Sequence, residues 1–205
     1  YECSEQTMNR FLSAGIVGSV FRDHPAVASM AKKLAARTTP LETWDAVDPN
    51  RKLALEETPW LLDAKGGQRP GADDEWLNLL DPRVVKAERE SALLKLQKLQ
   101  TAGGGFPWFP GGYPSEYLTV YLLSGFAKAS EFQVEVPRDM IVRAWRYVAT
   151  EYRGDLKRCM ALEGCFELVT FINYVASSFP DDGWLGGAFT AAERTEMLDY
   201  SFKHW

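Results

Sequence analysis

A cysteine stands three residues before a glutamine at the head of the chain, in Y-E-C-S-E-Q-T-M-N-R (Tyr1–Arg10). Residues i and i+3 share a face of a helical turn. The thiol of Cys3 and the side-chain amide carbon of Gln6 can therefore meet. Attack of the sulfur on that carbon, with loss of the amide nitrogen, gives an internal thioester. Such a bond is an acyl group waiting for a nucleophile, because a thiol of pKa ~8.5 leaves far more readily than an amine. The plainer account of a lone cysteine is a small buried apolar side chain. Glu5 is placed for proton transfer as the bond forms or opens; the plainer account is an acid favoured near a helix N-terminus.

These residues need a helix start to hold them. Met8, Phe11, Leu12, Ile16, Val20 and Phe21 recur at helical spacing, which predicts a helix over Glu5–Phe21. Ser4 is the expected cap, with Cys3 at or just before the N-terminus. Unpaired N–H groups there favour a thiolate or a developing oxyanion. Gly15 and Gly18 suggest close packing on one side.

Further helices are expected from Pro25 to about Arg37, and in short pieces around Leu41–Val47, Asn50–Glu56 and Glu75–Leu80. Lys65–Asp74 has loop composition throughout. Asp81-Pro82 reads as a cap followed by proline at the first helical position, with the helix reaching Gln100. A glycine-, proline- and aromatic-rich turn follows, Gln100–Pro114. Ser115–Ser130 is apolar nearly all round, as a buried inner helix is. Pro137 opens a helix expected to end at Gly154, and Asp155 to cap one running to Ser178. A second glycine/aromatic turn, Ser178–Phe189, precedes a last helix, Ala191–His204, with Thr190 and Glu193 as a capping box. No strand is expected. Helices joined by two similar turns suggest helical hairpins in series.

The composition narrows the function classes. A chain of 205 residues with 46% hydrophobic and 13% aromatic content, including seven tryptophans, supports one sizeable core. A net charge of −5 argues against a nucleic-acid binder. No apolar run approaches the ~20 residues of a membrane helix. Tyr1 and the abrupt His204-Trp205 end lead us to expect a piece of a longer protein, with any targeting signal outside it. Cys159 and Cys165 lie six apart in a helical pattern, ~9 Å along a helix axis. That spacing predicts two free buried thiols rather than a disulfide. Asp73-Asp74 and Asp181-Asp182 lack a third or fourth ligand nearby, so no metal and no cofactor is expected.

Cys3-Ser4-Glu5-Gln6, followed by a hydroxyl residue and N-R-F-L, resembles the C-x-E-Q thioester motif of the alpha-2-macroglobulin/complement family. The residue before the cysteine is usually glycine in that family and is Glu2 here. Glu56–Ala64 (E-E-T-P-W-L-L-D-A), Leu96–Gly112 (L-Q-K-L-Q-T-A-G-G-G-F-P-W-F-P-G-G) and Glu196–Trp205 (E-M-L-D-Y-S-F-K-H-W) are similar to bacterial alpha-2-macroglobulins. The resemblance therefore covers essentially the whole chain. It implies an all-α fold, an alpha/alpha toroid of helical hairpins, here a single domain (1–205) cut short on its C-terminal side and left as a partial ring.

The function so implied is covalent protease trapping in host defence. A protease cuts a bait region elsewhere in the parent protein, and a lysine amine of the protease then attacks the Gln6 carbonyl and frees Cys3. This is single-use acyl transfer by an endopeptidase inhibitor, not turnover by an enzyme. The partners implied are target proteases and neighbouring macroglobulin domains of the parent chain. The location implied is the periplasm of a bacterium, the parent being inner-membrane-anchored through another segment. Complement-type members carry a histidine soon after a Q-x-x-x-G-x-F segment, and it directs transfer to hydroxyls. Pro107–Glu116 contains none, and His24 and His204 are the only histidines, so direct amine attack is expected. Phe106, Trp108, Phe109 and Tyr113 either shield the thioester from water or simply pack the turn, the simpler expectation; in the family much of the shield belongs to a neighbouring domain. Two other readings compete. One is a structural toroid with a silent motif. The other is a terpene-cyclase- or prenyltransferase-like enzyme, for which no D-x-D-D motif or zinc-spaced cluster is present.

Overall fold

The computed structural model describes residues 3–35 and 81–204. The expected helices Leu41–Val47, Asn50–Glu56 and Glu75–Leu80, the loop Lys65–Asp74, and Glu2 lie outside the described residues. Packing divides the chain into two units. One comprises residues 1–19 and 86–205, the other residues 20–85.

The described residues are mostly helical, and the fold class is all-α. In the larger unit, α1 (Ser4–Asp23, its first sixteen residues) and α3 (Pro82–Leu99, from Lys86) precede a minimal antiparallel ribbon. The ribbon is β1 (Phe106–Pro107) and β2 (Pro114–Ser115), pairing Phe106 with Ser115 and Pro107 with Pro114. It corrects the expectation of no strand at all. The residues between are the glycine- and proline-rich turn, whose sharp reversal lets its two ends pair.

Next come α4 (Glu116–Glu131), α5 (Arg138–Glu151), a π-helical segment Tyr152–Leu156, and α6 (Lys157–Ala161). Then follow α7 (Phe166–Ser177), a 3-10 turn Asp182–Leu185, and α8 (Ala191–His204). The inner helix is α4, as its composition predicts. Leu118, Val120, Leu122, Leu123 and Phe126 have no exposed surface. It packs against α5 and α7, and α7 packs against α8. The aromatic ring of Phe126 meets Phe11 of α1 edge-on at 5.8 Å. A Cβ on Gly125 would lie 2.6 Å from Met8 Sδ, so that glycine sets how near Met8 comes. The close packing expected at Gly15 is against Val134, just beyond α4.

Three expectations fail between Glu151 and Phe166. Gly154 does not end a helix and Asp155 does not cap one. The chain stays helical but widens to π geometry, which takes in an extra residue without breaking the rod. The break comes later, at Glu163-Gly164-Cys165, where Glu163 (φ 58°) and Cys165 (φ 57°) are left-handed. That turn folds Cys165 back on Cys159, so the two form a disulfide with Cα atoms 5.9 Å apart. The prediction of free thiols assumed one straight helix through both.

In the smaller unit, α1 ends at Asp23 and α2 (Pro25–Ala35) follows; its expected end at Arg37 lies outside the described residues. Asp81 caps α3 by accepting from the Arg83 N–H at 2.8 Å, as read from the sequence.

Candidate functional site

The first turn of α1 is built as a capping box with an unusual member. In the common box a serine or threonine at the cap accepts from the N–H three residues on. A glutamate or glutamine at that third position reaches back to the cap N–H. Here the cap is Cys3. Its Sγ accepts from the Gln6 N–H at 3.4 Å, and Gln6 Oε1 accepts from the Cys3 N–H at 3.2 Å. The sulfur and the side-chain amide thus share one turn, each hydrogen-bonded to the other residue's backbone N–H. Thr190 and Glu193 form the ordinary version at the head of α8. There Thr190 N–H donates to Glu193 Oε2 at 2.8 Å, and Glu193 N–H to Thr190 Oγ1 at 3.2 Å.

Ser4 is not the cap. It is the first helical residue, it is fully buried, and both its donors leave the helix. Its N–H donates to the Trp108 carbonyl at 3.0 Å, and its hydroxyl to the Pro107 carbonyl at 2.5 Å. The helix start is therefore fastened to the glycine/aromatic turn, and the two stretches singled out in the sequence adjoin. Thr7, also buried, closes the other side: its N–H and its Oγ1 donate to the Cys3 carbonyl at 3.0 and 2.9 Å. The polar groups of Cys3 left over are its N–H and its sulfur, and both face Gln6. Cys3 and Glu5 are half-buried, and Gln6 is exposed.

The turn owes its rigidity to Q-x-x-x-G-x-F, read here as Gln100, Gly104 and Phe106. The Gln100 side-chain amide donates to the Gly104 carbonyl at 2.8 Å and to the Met140 carbonyl of α5 at 2.9 Å. Gly104 has φ +94°, and a Cβ there would fall 2.2 Å from the Arg143 carbonyl oxygen. Phe106 is fully buried, and its N–H donates to Thr119 Oγ1 at 2.9 Å. Tyr147 of α5 donates to the Pro114 carbonyl at 3.3 Å. Burial, with the Glu151 and Glu116 charges second, keeps that hydroxyl protonated well above the ordinary tyrosine range.

The four aromatics named as a shield part company. Phe106 belongs to the core and presents nothing to the site. Trp108 and Phe109 are 40% and 51% exposed, and Tyr113 is 95% exposed. Tyr113 covers nothing among the described residues. The sequence did not single out Ser4 and Thr7 as site residues, beyond Ser4 as a cap. The signal for them was a hydroxyl on each side of Glu5-Gln6.

His24 is exposed, and His204 lies against Tyr200 and Phe166, its ring 4.5 and 6.1 Å from theirs. Among the described residues no group of three or more His, Cys, Asp or Glu side chains is placed to hold a metal ion. Asp181 is instead engaged as a cap, accepting from the Gly183 N–H at 2.8 Å. No described helix is long and apolar enough to cross a membrane. No protein-family model matches the chain, and neither does any curated protein or solved structure.

Proposed function

We propose that the chain is the thioester-bearing domain of a bacterial alpha-2-macroglobulin-like protease inhibitor. In this reading Cys3 and Gln6 form an internal thioester, and a lysine amine of an attacking protease takes over the Gln6 acyl group. The protease is then held by an amide and Cys3 is released as a thiol. The observation that carries the reading is the reciprocal pair of hydrogen bonds between Cys3 and Gln6. It places a nucleophile and an acyl carbon on one turn, the condition for a high effective concentration.

Two further features support it. The paired helices α4–α5 and α7–α8, with α4 inside, suit an alpha/alpha toroid left as a partial ring. The Cys159–Cys165 disulfide suits an oxidising compartment such as the periplasm. Proteases and the neighbouring domains of the parent chain are the partners this function requires. The exposed Trp108, Phe109 and Tyr113, beside the fastened helix start, would be covered by such a domain.

Mass spectrometry after methylamine treatment tests the reading. A live thioester gains methylamine at Gln6 and exposes one thiol at Cys3. An unchanged mass with Cys3 already free overturns it. That outcome would leave a second reading, a structural toroid whose C-x-E-Q only caps α1. The Thr190–Glu193 box favours it, because the same geometry arises there with no sulfur present.

A further inference from the structure

We propose that Ser4 and Thr7 are positioning residues for thioester formation, acting through the backbone of Cys3. This rests on the thioester reading above. The argument begins with what a self-acylating cysteine needs. Its sulfur must sit over the amide carbon, and a donor must wait where negative charge will appear on the amide oxygen. The Cys3 N–H already donates to that oxygen, Gln6 Oε1, at 3.2 Å. The Gln6 N–H donates to the sulfur at 3.4 Å and so holds it on the same turn as the amide.

Neither donor would stay in place if the peptide groups around Cys3 could turn. Residues before a helix are ordinarily free to do so, because only one side of them is helical. Here that freedom is removed from both directions. Thr7 holds the Cys3 carbonyl through two donors, its N–H and its Oγ1. Ser4 holds the following residue on the Pro107 and Trp108 carbonyls. Those carbonyls belong to a turn that is itself fixed on α5 by Gln100 and Gly104. Both hydroxyls lie in buried side chains, at 0% and 1% exposure, so water does not replace them.

The step balances without any outside reagent. The Cys3 sulfur bonds to the Gln6 amide carbon, and the carbonyl electrons move onto Oε1, facing the Cys3 N–H. As they return, the carbon–nitrogen bond breaks. The thiol proton passes to the departing nitrogen, which leaves as ammonia. The product is one ammonia lighter and has no thiol at Cys3. Opening by an amine runs through the same oxyanion.

The test follows newly translated 205-residue chain over time by intact mass and by thiol labelling at Cys3. Ser4→Ala and Thr7→Val are compared with wild type. Thr7→Val keeps the shape and the backbone donor and removes only the hydroxyl, and Thr7→Ser puts a hydroxyl back. Ammonia loss about ten-fold slower or more is expected in Ser4→Ala and Thr7→Val. Thr7→Ser should return to near the wild-type rate, and the melting temperatures of the two Thr7 variants should be alike. That pattern separates positioning from mere stability, and the Thr7 pair decides even if Ser4→Ala fails to fold. Wild-type rates in Thr7→Val, with wild type itself losing ammonia, overturn the positioning role and leave the thioester standing. Wild type that never loses ammonia overturns both.

Discussion

At the residue scale, chemistry is set by which groups are denied freedom. Gly104 shows how strict this is. Its φ of +94° is one that side-chain-bearing residues rarely adopt, and the Arg143 carbonyl occupies the place of a Cβ. Gly104→Ala is therefore expected to cost about 3 kcal/mol or more, a fall of roughly 6–12 °C in Tm. Gly111 supplies the control: its φ is +78°, but nothing lies within 4 Å of its Cβ position. Gly111→Ala should lose only about 1 kcal/mol, for backbone strain alone. Equal losses at the two positions would show that the Arg143 contact does not matter. The spacing of Cys3 and Gln6 was legible because i,i+3 adjacency is local. The role of Ser4 was not, because it finds its partners about a hundred positions away. A hydroxyl in sequence does not say where its acceptor lies.

At the element scale, the docking of α8 is the instructive case. Its bounds and capping box were readable to the residue, since both depend on neighbours within one turn. Its seat was not. The π segment turns Arg153 toward α8, where Nε and Nη2 meet the two Glu193 oxygens at 2.7 and 2.9 Å. Nη2 also donates to the Ala188 carbonyl at 2.7 Å. Tyr152 donates to Glu196 at 2.7 Å. A glycine at 154 signals a helix end in sequence, whereas the chain widens there to π geometry and docks on α8 through Tyr152 and Arg153. The Arg153 hydrogen bond, with help from the Thr190 cap, draws the Glu193 carboxyl down to about 2 from 4.5. A depressed carboxyl stabilises the fold above its unfolded value and loses that effect as pH falls through the folded one. Glu193→Gln keeps the capping acceptor and removes the charge. It should cost ~1–2 kcal/mol near neutral pH, Arg153 being half exposed. The gap should close between about pH 5 and 2; a gap constant with pH would mean the charge contributes nothing. The disulfide acts on the same helix from the other side. Its turn presents the Gly164 carbonyl to Tyr200 at 2.6 Å and Glu163 to Lys203 at 2.9 Å. Replacing both Cys159 and Cys165 by alanine should lower stability by ~2 kcal/mol, for so short a loop. Reductant should lower wild type to match and leave the variant unmoved. Insensitivity of wild type to reductant would show that the pair is not bonded.

At the scale of the whole molecule, the proposed function makes a claim about which nucleophiles succeed. A hydroxyl stays protonated at neutral pH and needs a neighbouring base or a nucleophilic intermediary. Histidine is the side chain suited to either role at that pH. Pro107–Glu116 contains none, and His204 is occupied against Tyr200 and Phe166 at the far end of α8. An amine needs no such help. A small fraction of lysine-type amines, pKa ~10.4, is unprotonated at neutral pH, and that fraction grows about ten-fold for each pH unit. Two consequences follow for the intact thioester. Methylamine incorporation at Gln6 should rise about ten-fold per unit between roughly pH 7 and 9, tracking the free amine rather than any group of the protein. Glycerol in large excess should give no ester at Gln6, only hydrolysis, because Pro107–Glu116 carries no histidine to relay the acyl group to a hydroxyl. Mass spectrometry of the Cys3–Gln6 peptide reads both results from one set of reactions. Ester formation rivalling amide formation, or a rate that levels off near the pKa of a histidine, ~6.5, would mean that a relay operates, and the assignment of direct amine attack would fall.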